Sequence, residues 1–185
     1  MPITGQLKTI YSNFSFGLLS FCLLQRMKPQ DFSSMNRVII GEDGLYCVPR
    51  GKVVPDEAGD FYEVGLAGSP DFNLQRANME FAKMLLRNLT LDSYEALFRY
   101  CKDTNQLDEM QEQPWYRFAR IMRNSLTHTQ HLRFSPRDLS QLPVIWRDKT
   151  IDENMDGQEP TFDFYDWWDG CELWNEMLSF AENLD

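Results

Sequence analysis

Apolar side chains recur at steps of three and four residues in several separate stretches of this chain, a spacing that lines one face of an α-helix. The clearest stretches are 11–27, 71–89, 114–126 and 166–181. Each stripe has to be buried against another element, and the stripes are too numerous for one helix pair. The pattern therefore predicts a mainly α protein, a helical bundle of four to five helices.

Helix start signals divide these stretches. Asp71 is a candidate N-cap for the second helix, and Thr90 or Asp92 suggests a further start before residue 101. Pro114 lies near the first turn of the next helix, where its missing N–H costs nothing. The last helix is expected to begin at about Asp166.

Two segments break the helical pattern. Residues 29–69 contain short β-branched runs at 37–40 and 52–54 between glycines and prolines, which predicts a loop-rich insert with room for a hairpin. Residues 143–165 alternate in a way that predicts a two-stranded extended ribbon. A length of 185 residues suits one core, so we predict a single domain over 1–185.

Charge is distributed unevenly along the chain, whose formal net charge is -10. No Lys or Arg follows Lys149, whereas eleven Asp and Glu do. Residues 114–150, in contrast, hold seven basic and two acidic side chains. A basic centre beside an acidic tail fits a phosphate-binding surface and fits solvated helix faces equally well.

The four cysteines, Cys22, Cys47, Cys101 and Cys171, have no paired spacing, which disfavours a zinc ribbon or a redox motif and predicts reduced core thiols. The most apolar N-terminal stretch, 14–24, is too short to span a bilayer and has no small-residue cleavage site after it. We therefore expect a cytoplasmic protein that is not bound to a membrane.

Both histidines of the chain, His128 and His131, directly follow an arginine-rich stretch. On a helix, Asn124 and His128 share one face and Arg123 lies beside them, so all three can border one cleft. Metal-free cleavage of RNA needs such groups: a base for the 2'-hydroxyl proton, a cation for the phosphoryl oxygens and a polar group that orients the phosphate. His128 suits proton transfer, Arg123 the phosphate and Asn124 the orienting hydrogen bond.

The stretch from Ala119 to His128 resembles the R-x4-6-H signature of HEPN domains, in which a polar residue, often Asn, follows the Arg. The resemblance implies an all-helical bundle, metal-independent endoribonuclease activity without a cofactor, and a homodimer in which two motifs form one cleft. It also implies a role in toxin–antitoxin or antiviral defence systems, with an antitoxin or defence protein as partner. Arg123 and His128 would then be catalytic and Asn124 supporting.

Three further basic residues near the motif, Arg117, Arg120 and His131, are candidates for contacts with RNA. His131 could also be a metal ligand, but no spacing suggests the remaining ligands of a zinc site, so we expect no metal. A structural alternative for Arg123 is an ion pair with an acid of the C-terminal helix, and for His128 an interaction with the helix dipole.

The acidic region supports a second class of function. Residues 162–169 interleave aromatic and acidic side chains, which favours aromatics in the core with acids facing water over a partner-binding face. The tail from 150 to 185 is consistent with a non-catalytic acidic module, either a degenerate HEPN scaffold or a mimic of nucleic acid.

Overall fold

The computed structural model describes residues 2–26, 35–41, 44–49, 62–65, 74–128 and 131–184. Its α-helices are α1 (Ile3–Arg26), α2 (Leu74–Asp103), α3 (Leu107–Gln111), α4 (Tyr116–His128), α5 (Pro136–Leu139) and α6 (Trp167–Ala181). Its strands are β1 (Met35–Gly41), β2 (Gly44–Pro49), β3 (Tyr62–Gly65), β4 (Val144–Trp146) and β5 (Lys149–Ile151). The predicted mainly α class with small β inserts is confirmed.

The chain separates into two compact units, residues 19–82 and residues 1–18 with 83–185. In the first of these, β1 lies between β2 and β3 in an antiparallel sheet, and Gly41 at the end of β1 pairs with Gly44 at the start of β2. The β-branched run at 37–40 belongs to β1, whereas the run at 52–54 lies outside the described residues. The single domain over 1–185 stays a prediction.

The other unit is built around one hydrophobic core to which α1, α2, α4, α6 and the β4–β5 ribbon all contribute. Its largest fully buried side chains are Ile3, Leu7, Leu89, Leu97, Met110, Phe118, Met122, Leu132, Ile151, Leu173 and Met177. Burial of each such side chain contributes about 1.5–3 kcal/mol. Helix α4, which carries the candidate site, therefore shares this core with the long helix α2 and the C-terminal helix.

Helix α2 is continuous, so the predicted second start at Thr90 or Asp92 is wrong. Thr90 is buried, and its hydroxyl donates to the carbonyl of Leu86 at 3.1 Å and contacts the Tyr165 hydroxyl at 2.7 Å. A threonine whose hydroxyl is satisfied inside the helix has no need to act as a cap. The proposed N-cap Asp71 lies outside the described residues.

Helix α1 begins at Ile3, well before the predicted start at residue 11. Ile3 and Leu7 are fully buried and extend the apolar stripe toward the N-terminus. Of the cysteines predicted in the core, Cys101 is buried but Cys22 is exposed, as are Leu19 and Leu23 in the same part of α1. No helix in the described ranges is long and apolar enough to cross a membrane.

The ribbon is shorter than predicted. β4 pairs with β5 alone, and the turn between them places Arg147 at a φ of 54°, in the left-handed region. Phe162 and Phe164 belong to no strand; they pack against the core instead. The alternation of apolar and acidic residues at 162–164 therefore does not indicate a strand; it places both phenylalanines against the core.

Helix α6 begins as predicted after Asp166, whose carboxylate accepts the N–H of Asp169 while Asp169 accepts the N–H of Asp166. This reciprocal capping explains why Asp169 is buried although the pattern placed the acids of 162–169 in water. Trp168 is 71% exposed, so it is not a core aromatic, whereas Tyr165 is buried as predicted. Gly170 lets the helix approach Leu86 of α2 closely, since a Cβ there would clash with that side chain.

Candidate functional site on helix α4

Helix α4 follows Pro114 and buries one face in the core. Trp115 precedes its first turn, and Phe118, Ala119 and Met122 continue the buried stripe as the periodicity predicts. The arginines lie off this stripe, where α2 and the segment after α4 approach the helix. The position of each basic side chain therefore depends on which neighbouring element it meets.

Each nitrogen of the Arg123 guanidinium has a side-chain partner. Two of its nitrogens, Nε and Nη2, contact Oε1 of Glu95 on α2, and Nη1 donates to Oδ1 of Asn124 at 2.9 Å. The Arg123 side chain is 29% exposed and that of Glu95 33% exposed. Arg123 and Asn124 thus form one hydrogen-bonded group at the border between the protein and water, and Glu95 orients it.

Helix α2 also contacts the last turn of α4. Arg87 Nη2 donates to the carbonyl of Thr127 at 3.4 Å, and the Thr127 hydroxyl donates to the carbonyl of Arg123 at 2.7 Å. A cation at the end of a helix stabilises carbonyls that lack partners and the negative end of the helix dipole. Helix α2 therefore places both an anionic side chain, Glu95, and a cationic one, Arg87, next to the motif.

A buried phenol lies near the same arginines. Burial raises the pKa of Tyr94, and a hydrogen bond with Tyr116 raises it further, while the charges of Arg120 and Arg123 act in the opposite direction. The ring centroid of Tyr94 lies 5.9 Å from that of Phe98 and 6.1 Å from that of Tyr116. Tyr94 is therefore a neutral wall beside the arginines rather than an acid–base group.

Arg120 has a structural partner. Its Nη2 contacts Oδ1 of Asp138, a buried carboxylate on α5. Oδ2 of Asp138 accepts the backbone N–H and the hydroxyl of Ser135 at 2.9 and 2.6 Å. Burial raises the pKa of Asp138, but the Ser135 hydrogen bonds and Arg120 together outweigh burial and hold it below its ordinary value.

The other predicted residues differ in how they are placed. His128 is the last residue of α4. The structure describes its backbone but not its side chain. His131 is exposed and has an interaction partner. Arg117 is exposed and forms no ion pair with any described residue. Within the described ranges, no three His, Cys, Asp or Glu lie close enough to hold a metal ion.

The structure thus brings Arg123 and Asn124 together and gives Arg120 a different neighbour. The structural alternative predicted an ion pair between Arg123 and an acid of the C-terminal helix. Arg123 does form an ion pair, but its partner is Glu95 on α2, so the predicted partner is wrong. Glu95 is 28 residues away in sequence, and no local pattern indicates it. Asp138 could have been found, because Ser135-Pro136-Arg137-Asp138 has the spacing of a capping box.

Comparison with protein-family models, with curated proteins and with solved structures gives no significant match.

Proposed function

We propose that this protein is a metal-independent endoribonuclease of the HEPN type. The observation that carries the proposal is the hydrogen-bonded group of Arg123 and Asn124 on the helix that ends at His128, which Glu95 of α2 orients. It joins a permanent cation to a polar side chain within two turns of a histidine. This is the set of groups that cleavage through the 2'-hydroxyl requires.

In the proposed reaction, His128 takes the proton of the 2'-hydroxyl as the O2' atom attacks the adjacent phosphorus. The bond between phosphorus and the 5'-oxygen breaks, the leaving oxygen takes a proton from water, and a 2',3'-cyclic phosphate remains. His128 returns its proton to the solvent. Arg123 stabilises the charge on the phosphoryl oxygens, and Asn124 hydrogen-bonds to the phosphate and orients it. Arg117 and His131, both exposed, contribute contacts to the RNA backbone.

A phosphate has to replace Glu95 on part of the Arg123 guanidinium. Because the side chains of both partners are about one-third exposed, their ion pair is worth at most about 1 kcal/mol. A bidentate, charge-assisted contact with phosphate competes readily with an interaction of that size. We further propose that the protein acts in the cytoplasm as a homodimer, within a toxin–antitoxin or antiviral defence system.

The test is cleavage of a fluorescently labelled RNA by the purified protein in the presence of a chelator. We expect His128→Ala and Arg123→Ala each to lower the cleavage rate about 100-fold or more, as loss of an acid–base group or an oxyanion-stabilising group does. His131→Ala is the matched control, with a smaller effect expected. Cyclic phosphate ends on the product would support the mechanism, and equal cleavage by wild type and His128→Ala would refute it.

The neutralisation of two motif arginines favours a second candidate, a non-catalytic acidic protein-binding module. Arg120 is paired with Asp138, and Arg123 with Glu95, so neither presents an uncompensated charge in this conformation. If the second candidate is correct, the protein cleaves no RNA and Arg123→Ala leaves its biological effect intact. Salt-sensitive binding of a basic protein, measured by anisotropy at two salt concentrations, would support it.

A further inference from the structure

Arg87 of α2 is a half-buried arginine that forms no ion pair with any described residue. Among the described residues of 83–185, the other half-buried arginines are Arg120 and Arg123, and each is paired with an acid. The chain has an excess of acids, with a formal net charge of -10, yet none of the described ones contacts Arg87. A partly desolvated cation without an acid favours an anion that comes from outside the chain.

The contact that Arg87 does make leaves most of its donors free. Nη2 donates to the carbonyl of Thr127 at 3.4 Å, near the outer limit of a hydrogen bond. The remaining N–H groups of the guanidinium have no protein partner among the described residues. Arg87 therefore stabilises the last turn of α4 and can still offer a fork of donors to a ligand.

The positions around Arg87 on α2 do not balance its charge. Lys83 lies one turn earlier and pairs with Glu159 at 3.0 Å. Two cations at this spacing destabilise a helix slightly. The neighbours at three and four positions on either side of Arg87 are Lys83, Met84, Thr90 and Leu91, so none of them is an acid. The positive charge at Arg87 is thus not explained by the stability of α2.

Arg87 and Arg123 lie along the same border between α2 and α4. Thr127, whose carbonyl Arg87 contacts, is one turn after Arg123 on α4. Glu95, which binds Arg123, is about two turns after Arg87 on α2. All of these residues belong to the unit formed by residues 1–18 and 83–185. An RNA strand carries a phosphate at every nucleotide, so a strand that contacts Arg123 brings a neighbouring phosphate toward Arg87.

We infer that Arg87 binds the RNA phosphate next to the one that Arg123 binds. The inference rests on the proposed function, because it requires RNA at the motif. Nη2 keeps its contact with Thr127, and the remaining donors bind the phosphate oxygens. This phosphate does not react, so the contact strengthens substrate and transition state equally and acts on KM rather than kcat. The site therefore takes a strand that continues beyond the cleaved bond, and a dinucleotide, which carries only the reacting phosphate, is a poor substrate.

The test measures binding separately from cleavage. The probe is a short, labelled single-stranded RNA with methylated 2'-hydroxyls, which the protein can bind but cannot cleave by the proposed reaction. Anisotropy gives its affinity for the full chain over a series of salt concentrations. Arg87→Gln is compared with wild type and with the matched control Arg99→Gln, which removes the same charge from an exposed position of α2 that forms no ion pair with any described residue.

We expect Arg87→Gln to bind the methylated RNA about tenfold more weakly, as loss of a charge-assisted hydrogen bond does. The slope of log affinity against log salt should fall in magnitude by about 0.7, the contribution of one phosphate contact on a single strand. Arg99→Gln should behave like wild type. Equal losses in both variants would show a general charge effect and overturn the inference. Wild-type behaviour of Arg87→Gln would do the same, as would failure of wild type to bind the RNA.

A measurement on wild type covers the case in which Arg87→Gln disturbs the end of α4. The Nε–H resonance of Arg87, identified by its absence from the spectrum of Arg87→Lys, should shift when the methylated RNA is added. The Nε–H resonance of Arg99 should not shift. An unchanged Arg87 resonance at saturating RNA would overturn the inference, whatever the affinity of the variant.

Unmodified RNA separates failure of this inference from failure of the proposed function. If wild type cleaves, we expect Arg87→Gln to raise KM about tenfold and to keep kcat within about threefold of wild type. A loss in kcat with unchanged KM would contradict the phosphate contact. If wild type does not cleave, the ribonuclease proposal fails, whereas a salt slope that depends on Arg87 would still show the contact with RNA phosphate.

Discussion

Arg123 and Glu95 form an ion pair that joins the middle of α4 to the C-terminal half of α2. Because Nη1 of Arg123 also donates to Oδ1 of Asn124, the pair orients two of the three residues of the proposed motif. The same contact neutralises Arg123. Glu95 therefore positions the guanidinium, and in the proposed reaction it would also compete with phosphate for it.

Replacing Glu95 with Gln separates these effects. If Arg123 binds phosphate, we expect Glu95→Gln to raise the affinity for a labelled RNA several-fold, because loss of the negative charge removes a competitor of the phosphate. Anisotropy titrations at low and physiological salt measure the change. Glu153→Gln removes an exposed charge elsewhere and should leave affinity nearly unchanged. Affinity that does not respond to Glu95→Gln would argue that RNA does not contact Arg123.

The Arg120–Asp138 pair should contribute mainly to stability. Asp138 is buried, and its removal leaves Arg120 and the Ser135 N–H without their shared acceptor. We expect Asp138→Ala to lower the free energy of unfolding by about 3 kcal/mol, the usual cost of breaking a buried pair. Urea denaturation measures this. Asp148→Ala, at a side chain that is 81% exposed, should change it by less than about 0.5 kcal/mol.

Asp138 should also make stability depend on pH. Its pKa is lowered in the folded protein, so its contribution is present above the ordinary carboxyl pKa and is lost as pH falls through the lowered value. We expect wild type to lose stability below about pH 4. Over that range the Asp138→Ala variant should show a flatter decline, whereas Asp148→Ala should decline like wild type. Parallel curves for wild type and Asp138→Ala in urea titrations across this range would contradict the assignment.

Thr90 and Tyr165 should be energetically coupled. Their hydroxyls are 2.7 Å apart in the core, and burial raises the pKa of Tyr165, so the phenol stays neutral and can donate to Thr90. Thr90→Val leaves a buried phenol without a partner, which costs about 1–3 kcal/mol, whereas Tyr165→Phe costs about 1 kcal/mol. The double variant should lose less than the sum of the two single losses. Additive losses in thermal or urea unfolding would show that the hydroxyls act independently.

Much of the fold can be predicted from local patterns. The stripe on α4, the start of α6 at Asp166 and the mainly α class all follow from helical spacing and cap chemistry, which act over a few neighbouring residues. The predicted break at Thr90 fails for the same reason, since a cap-forming residue is locally ambiguous. Tyr165, 75 residues away, completes the hydroxyl contacts of Thr90 inside a continuous helix.

The candidate site divides in a similar way. Sequence alone determined that Arg123, Asn124 and His128 occupy one helix, with the first two adjacent and the last on the same face as Asn124. Only the tertiary structure decided that Glu95 binds Arg123 and that Asp138 binds Arg120. The helical period gives the direction in which a side chain points around the axis of its helix. The partner that the side chain contacts depends on how elements distant in sequence pack around the core.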